Sequence, residues 1–222
     1  MGSHEYSLIA TIALISLLPF VVASGTCYIK FSIVFVLLRN ALGVQQVPSN
    51  MTLNGIALFM SLFVMSPVIQ QGVDHYRSSP PNLENVDSVI NYFDTGLGGY
   101  RDYLKKYSDP ELVSFFEKVH TGQYDGKHSS NNVSSEEPSL IVLLPAYALS
   151  ELKAAFKIGF YLYLPFVVVD LIISSILLAL GMMMMSPVTI SAPIKLILFV
   201  SMDGWAILTK GLILQYVDLA HT

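Results

Sequence analysis

Residues 158–180 of the chain read IGFYLYLPFVVVDLIISSILLAL and contain one charged residue, Asp170. A helix rises about 1.5 Å per residue, and about 20 apolar residues cross the hydrocarbon core of a bilayer, so this stretch is long enough for a transmembrane helix. The full sequence of 222 residues agrees, because it is 53% hydrophobic and 13% charged. Soluble domains have roughly 25% charged residues. The sequence therefore predicts a membrane protein.

The N-terminal part contains a second apolar stretch. Residues 6–29 carry no charge, and the apolar pattern continues after Lys30 as far as Leu38, which predicts one long helix or two helices joined at Thr26-Cys27. A cleaved signal peptide is the alternative, because the small residues 23–25 follow the apolar run. No Lys or Arg precedes that run, however, whereas a signal peptide begins with positive charge.

Two more apolar segments complete the pattern. Residues 40–73 are uncharged, with an apolar centre at 53–69, and residues 190–214 are apolar apart from three charged side chains. Four hydrophobic segments predict an all-α protein associated with a membrane. The net charge of −4 provides no basic surface for phosphates, so we expect no nucleic-acid partner.

Residues 74–138 form a polar region with eleven acidic and six basic side chains. Apolar residues recur there every three or four positions, which predicts three short amphipathic helices, and Ser108 and Glu111 are spaced as a capping box for the third, with Pro110 in its first turn. Residues 121–138 lack an apolar period, so we expect a mobile loop. The three helices are expected within 83–93, 97–107 and 112–119.

This pattern divides the chain into three parts. Residues 1–73 are predicted to form an N-terminal hydrophobic helical hairpin, residues 74–138 a polar helical domain, and residues 139–222 C-terminal amphipathic and hydrophobic helices. An acidic polar domain suits the periplasmic side of a bacterial inner membrane. The Lys and Arg residues of the short loops are too few to indicate the topology.

The apolar segments contain five charged side chains. A charge at the centre of a bilayer costs about 2.5 to 3.5 kcal/mol on insertion scales, so each of them needs a partner or water. In a continuous helix, Lys195, Asp203 and Lys210 would form one stripe, which favours contacts between subunits. A small ion or proton transporter that uses Asp170, a lone acid in an apolar span, is the alternative function. The five residues are Lys30, Asp170, Lys195, Asp203 and Lys210.

Four methionines, Met182–Met185, precede Ser186-Pro187, which predicts a helix end or a loop. Methionine is an adaptable gap-filler, so core filling or a lipid-facing helix end is one interpretation. The same flexibility would allow a gasket that closes a pore and reshapes around what passes. A gasket requires several chains around one axis.

The residues give little support for an enzyme. The five His residues are too scattered for a metal site on one helix, and the single cysteine, Cys27, excludes an internal disulfide and a Cys-based zinc site. Ser150 and Lys153 could act as the catalytic pair of a membrane hydrolase, but the apolar spacing around them is explained by helix packing. We expect no catalytic residue, no metal and no cofactor.

Two stretches resemble the signatures of the FliP/SctR family, the export-gate subunits of bacterial type III secretion systems. The first is PAYALSELKAAFKIGF at 145–160, and the second is PIKLILFVSMDGW at 193–205. The agreement extends over nearly the whole chain. Because no basic signal precedes the first apolar segment, we expect the virulence-associated injectisome branch. The further matching stretches are 17–20, 30–34, 39–43 and 182–187.

The resemblance implies a non-enzymatic pore subunit that conducts unfolded proteins across the bacterial inner membrane. It implies a homopentamer of helical hairpins with discontinuous helices, which assembles with SctS and SctT into a conical pore raised toward the periplasm. SctU, the needle-complex base and membrane lipid are the other expected partners.

The resemblance also assigns roles to residues. In the family a methionine-rich loop closes the pore, which favours the gasket interpretation of Met182–Met185. We further expect five charged residues at contacts between subunits. They are Glu151, Lys153, Lys195, Asp203 and Lys210.

Overall fold

The computed structural model describes residues 22–44, 46–78, 96–122, 138–182 and 184–217, with the isolated positions 12, 16, 19 and 20. All regular structure in this part of the chain is helical, which confirms the all-α prediction. Residues 22–25 are helical, and seven further helices follow them in this part of the chain: α1 Tyr28–Ala41, α2 Asn50–Ser78, α3 Gly98–Tyr107, α4 Pro110–His120, α5 Leu140–Ala179, α6 Pro187–Ser201 and α7 Gly204–Leu214.

Two of these helices are long and apolar enough to cross a membrane, namely α2 from residue 50 to 75 and α5 over its whole length. A third span results if α6 and α7, which meet at an angle of 62°, are counted as one bent span. Helix α5 joins the first family signature and the apolar run 158–180 in one helix of 40 residues. Residues 6–11, 13–15, 17, 18 and 21 of the predicted N-terminal apolar segment lie outside the described residues.

Of the two arrangements predicted for the N-terminal segment, one long helix or two joined at Thr26-Cys27, the structure has the second. Residues 22–25 are helical, and α1 begins at Tyr28. The Thr26 hydroxyl donates to the carbonyl of Val22 at 2.6 Å and accepts the amide of Tyr28 at 3.3 Å. One side chain therefore satisfies backbone groups at the end of one helix and at the start of the next.

The chain folds as two compact units. The first contains residues 1–29 and 65–151, and the second contains residues 30–64 and 152–222. Helices α2 and α5 contribute residues to both units.

Tyrosines hold α3 in the first unit. Tyr103 of α3 and Tyr147 of α5 are buried, and their hydroxyls hydrogen-bond to each other. Tyr100 stacks on Tyr103 with ring centroids 6.3 Å apart and donates its hydroxyl to the carbonyl of Gly25 at 2.8 Å. A side chain at Gly25 would collide with the Tyr100 hydroxyl. The apolar face predicted for residues 97–107 is therefore confirmed as a packing face.

The third predicted helix of the polar region is α4, but its cap differs from the prediction. Asp109, not Ser108, is the N-cap, and its carboxylate accepts the amide of Glu111 at 3.1 Å. The Ser108 hydroxyl instead donates back to the carbonyl of Leu104 at 2.6 Å. Pro110 is the first residue of the helix, as predicted. The first predicted amphipathic helix, 83–93, and most of the predicted loop 121–138 lie outside the described residues.

The second unit has a compact apolar core. Its buried members come from α1, the residue after it, α5 and α6, and the Trp205 ring packs edge-on against Phe199 with centroids 5.5 Å apart. Three separate parts of the sequence thus bury apolar surface together. The fully packed residues are Leu38, Ala41, Leu42, Phe166 and Phe199.

Tyr100 and Tyr103 predict that the folded chain becomes less stable at alkaline pH. Burial raises the pKa of Tyr100 to about 12, and burial also raises the pKa of Tyr103. Because the folded state holds these protons more tightly than the unfolded state does, the resulting stability is complete below about pH 10 and is lost as the pH rises further. Thermal unfolding of the detergent-solubilised chain should therefore show a decreasing midpoint above about pH 10.

Tyr100→Phe is the comparison for this experiment. The variant removes one of the raised pKa values, so its midpoint should fall less between neutral and alkaline pH than that of the wild type. Equal losses in the two proteins would contradict the assignment to Tyr100.

Candidate functional site

Met182, Met184 and Met185 lie at the tip of a hairpin formed by α5 and α6. Helix α5 ends in a Schellman motif, in which Gly181 has a φ of 73° and its amide donates to the carbonyl of Leu178. The amide of Met182 donates to the carbonyl of Leu177 at 2.9 Å. Glycine suits this left-handed position because it has no Cβ, and Pro187 starts α6 with the φ that a first helical turn requires. The backbone thus fixes both ends of the loop.

The described methionines of this loop do not fill the core of their own chain. Met184 is fully exposed, and Met182 and Met185 are 40% and 43% exposed. The amide of Met185 donates to the carbonyl of Met182 at 3.3 Å, so the loop is a tight turn. Met183 is not among the described residues. Apolar side chains at an exposed tip need a cover from outside the chain.

Asp170 and Lys195 form an ion pair across the hairpin. The distance from Lys195 Nζ to Asp170 Oδ2 is 2.6 Å, and the same ammonium group donates to the carbonyl of Ala41 at 3.2 Å. Lys195 is 3% exposed, so its charge is removed from solvent and is satisfied by α5 and by the last residue of α1. This buried cation holds three helices together.

The prediction that Asp170 is a lone acid in an apolar span is wrong. A carboxylate in an apolar helix that pairs with a lysine of its own chain has the partner that the cost of a charge in apolar surroundings requires. The alternative of an ion or proton transporter, which rested on a lone acid, is not favoured.

The predicted charge stripe along one continuous helix is also wrong. The helix breaks after Ser201, and Asp203 has a left-handed backbone with a φ of 51° before α7 begins. Asp tolerates this conformation better than most residues, and the following Gly204 fits because a side chain there would collide with the Phe199 ring. Lys195 is therefore buried against α5, whereas Asp203 and Lys210 are exposed on the other side of the break.

The remaining predicted residues differ in their environment. Glu151 is buried, and Lys153 is exposed. The Ser150 hydroxyl donates to the carbonyl of Ala146 at 2.7 Å and accepts the amide of Asp109 at 2.7 Å, so it has a structural role and gives no support to a hydrolase. Among the described residues, no group of three or more His, Cys, Asp or Glu side chains could hold a metal ion.

Sequence reasoning missed the partners of Lys30. Its ammonium group donates to the Gln215 side chain at 3.3 Å and lies 4.5 Å above the centre of the Tyr216 ring. Phe31 meets the same ring edge-on at 5.9 Å. A tyrosine about 185 residues away leaves no local signal, so helix periodicity could not have found this contact.

The second unit also contains an apolar cavity of about 340 Å³ between α5 and the bend from α6 to α7. Phe166, Phe199 and Leu208 line it, and Gln215 adds a side-chain amide to the lining. The bend at Asp203 creates this space, because α7 leaves the direction of α6 there.

Comparisons with known proteins agree over nearly the whole length of the chain. A family model described as the FliP family matches residues 11–212. The "Surface presentation of antigens protein SpaP" of Salmonella typhimurium is 59% identical, over 98% of this chain and 99% of the relative. Its namesake in Shigella flexneri is 62% identical over 97% and 98% of the two chains. The "Yop proteins translocation protein R" of Yersinia pestis is 49% identical over 96% of each. The resemblance stated from the two signatures is confirmed.

Gly181→Ala tests whether the loop depends on its left-handed glycine. A Cβ at this φ costs about 1 to 2 kcal/mol, so the variant should unfold at a lower temperature in detergent. Gly55→Ala is the matched control, because Gly55 lies inside α2 with no atom within 4 Å of an added Cβ. That change should stabilise the chain by about 0.5 to 1 kcal/mol. Equal stabilities of the two variants would contradict the strained-turn assignment.

Proposed function

Because the chain belongs to the FliP family, we propose that it is a non-enzymatic core subunit of the export gate of a type III secretion system, in the injectisome branch. The gate conducts unfolded secreted proteins across the bacterial inner membrane. The similarity to the "Yop proteins translocation protein R" and to the "Harpin secretion protein HrcR" of Erwinia amylovora, at 49% and 40% identity, supports this function.

One observation carries the pore part of the proposal. Methionine side chains are exposed at the tip of a hairpin whose two ends are fixed by Gly181 and Pro187. Copies of this hairpin around an axis would bring their tips together, and the flexible thioether side chains would close the opening. Met182–Met185 are thus proposed as a gasket that yields to a passing polypeptide and closes after it.

The exposed apolar surface supports assembly with other chains. Only 17% of the most apolar stretch of α5 is buried within the chain. An uncovered apolar surface of this extent needs lipid or protein against it. We assign this cover to further copies in a homopentamer, to SctS and SctT, and to membrane lipid, with SctU and the needle-complex base as neighbours. The assembled hairpins are proposed to lie toward the periplasmic side of the inner membrane.

Exposed charges are the candidates for contacts between subunits. Asp203 and Lys210 are exposed in the single chain, so their charges are available to a neighbouring subunit. Lys153 is also exposed, and its predicted contact with another subunit stays a prediction. Glu151 and Lys195 are buried in the single chain, and their predicted contacts with other subunits stay predictions.

Replacing Met183–Met185 by alanine tests the gasket. Assembly should be unchanged, because the loop ends stay fixed by Gly181 and Pro187, whereas ion leakage through the assembled complex in liposomes should rise. Met51→Ala is the matched control, since Met51 is an exposed methionine at the start of α2. Wild-type leakage in an assembled loop variant would refute the gasket.

Charge reversal tests the subunit contacts. Asp203→Lys and Lys210→Glu should each lower the yield of the pentamer, because like charges across an interface repel. Lys118→Glu in the polar helix α4 is the control, since Lys118 is also exposed. Native mass spectrometry of the detergent-extracted particle gives the number of copies. An undiminished pentamer in both variants would remove these two residues from the interface.

A further inference from the structure

The contacts that hold the α5–α6 hairpin differ in how strictly they fix its register. Apolar contacts are non-directional, so they specify the register of two packed helices less strictly than polar contacts do. The ammonium group of Lys195 instead makes two directional contacts, with Asp170 Oδ2 at 2.6 Å and with the carbonyl of Ala41 at 3.2 Å. The polar contacts are therefore the ones that define a single register.

The two charged residues lie at matched heights. Asp170 is nine residues before the last residue of α5, and Lys195 is eight residues after the first residue of α6. At about 1.5 Å per residue, each lies roughly 12 to 14 Å from the end of its helix that faces the methionine loop. One turn further from the loop, Phe166 meets Phe199 with ring centroids 6.4 Å apart. The hairpin is therefore antiparallel, and its two helices contact each other at both levels, through Asp170 and Lys195 and through Phe166 and Phe199.

A slip between the helices would break the ion pair before it broke the apolar contacts. Moving one helix by one turn shifts its side chains by about 5.4 Å, which is more than an ion pair tolerates. The phenylalanine rings would find other apolar partners after such a shift, but Lys195 would be a buried cation without its carboxylate. The pair thus selects one position of α6, and of the loop before it, along α1 and α5.

We propose that Asp170 and Lys195 are positioning residues for closure of the pore. Their ion pair holds the hairpin in the register that places Met182–Met185 at the height where the tips of neighbouring hairpins meet. The inference rests on the proposed gasket function of the loop. Neither residue touches the passing polypeptide; both act through the loop.

The test measures ion leakage per assembled particle in liposomes for Asp170→Asn, Lys195→Gln, the double variant and Asp170→Glu. Each neutral single variant should raise the leakage per particle about tenfold, as a tenfold shift between closed and open populations would. Since the pair acts as a unit, the double variant should leak no more than either single variant. Asp170→Glu keeps the charge and should leak less than Asp170→Asn. Ser175→Ala, an exposed position on α5, is the control.

The outcomes separate positioning from a purely structural role. A structural role would lower the number of particles and leave the leakage of each particle at the wild-type value, and that result overturns the proposal. Where a single variant fails to assemble, the double variant decides, because it contains no unpaired buried charge; wild-type leakage in its particles also overturns the proposal.

The Met183–Met185 alanine variant is measured in the same liposomes. If the methionine variant raises ion leakage per particle and the Asp170 variants do not, the positioning role alone is overturned. If the methionine variant leaks no more than the wild type, the gasket function is overturned, and the positioning role with it.

Discussion

The need to satisfy buried charge inside an apolar hairpin governs the second unit of this protein. A lysine without solvent is tolerated only where oxygen atoms surround it, and Lys195 obtains them from α5 and from the last residue of α1. The helices have to meet at this point, whatever their apolar surfaces would otherwise allow. The core of Leu38, Phe166 and Phe199 packs beside it, so the directional contact sets the arrangement that the apolar contacts then fill.

Local signals predicted the helices well and their boundaries less well. Helices α3 and α4 followed from apolar spacing, because this feature depends on neighbours within a few residues. The break at Thr26 was one of two alternatives that the charge gap left open. The N-cap of α4 was misassigned because Ser108 and Asp109 are both good capping residues. The choice depends on α5: Ser150 accepts the Asp109 amide, while the Ser108 hydroxyl ends the preceding helix.

The site was predicted as a set of residues, but its pairings were not. Asp170 and Lys195 are 25 residues apart, and Lys195 and Ala41 are 154 apart, so no helical period connects them. The bend at Asp203 was missed for another reason. A left-handed aspartate has no composition signal of its own, and only the adjacent Gly204, whose missing side chain makes room for the Phe199 ring, marked the place.

The hairpin combines a rigid stem with a soft tip, and each depends on the other. Thioether side chains adapt to many shapes, so a methionine loop on a sliding stem would have no defined position. A stem held by an ion pair and ending in a rigid aromatic tip would have a position but could not reshape. Here the directional contacts lie two to three turns below the loop, and the side chains of Met182, Met184 and Met185 at the tip are exposed. In the proposed gate, the separation along α5 and α6 would let the tip deform while its base keeps the same register.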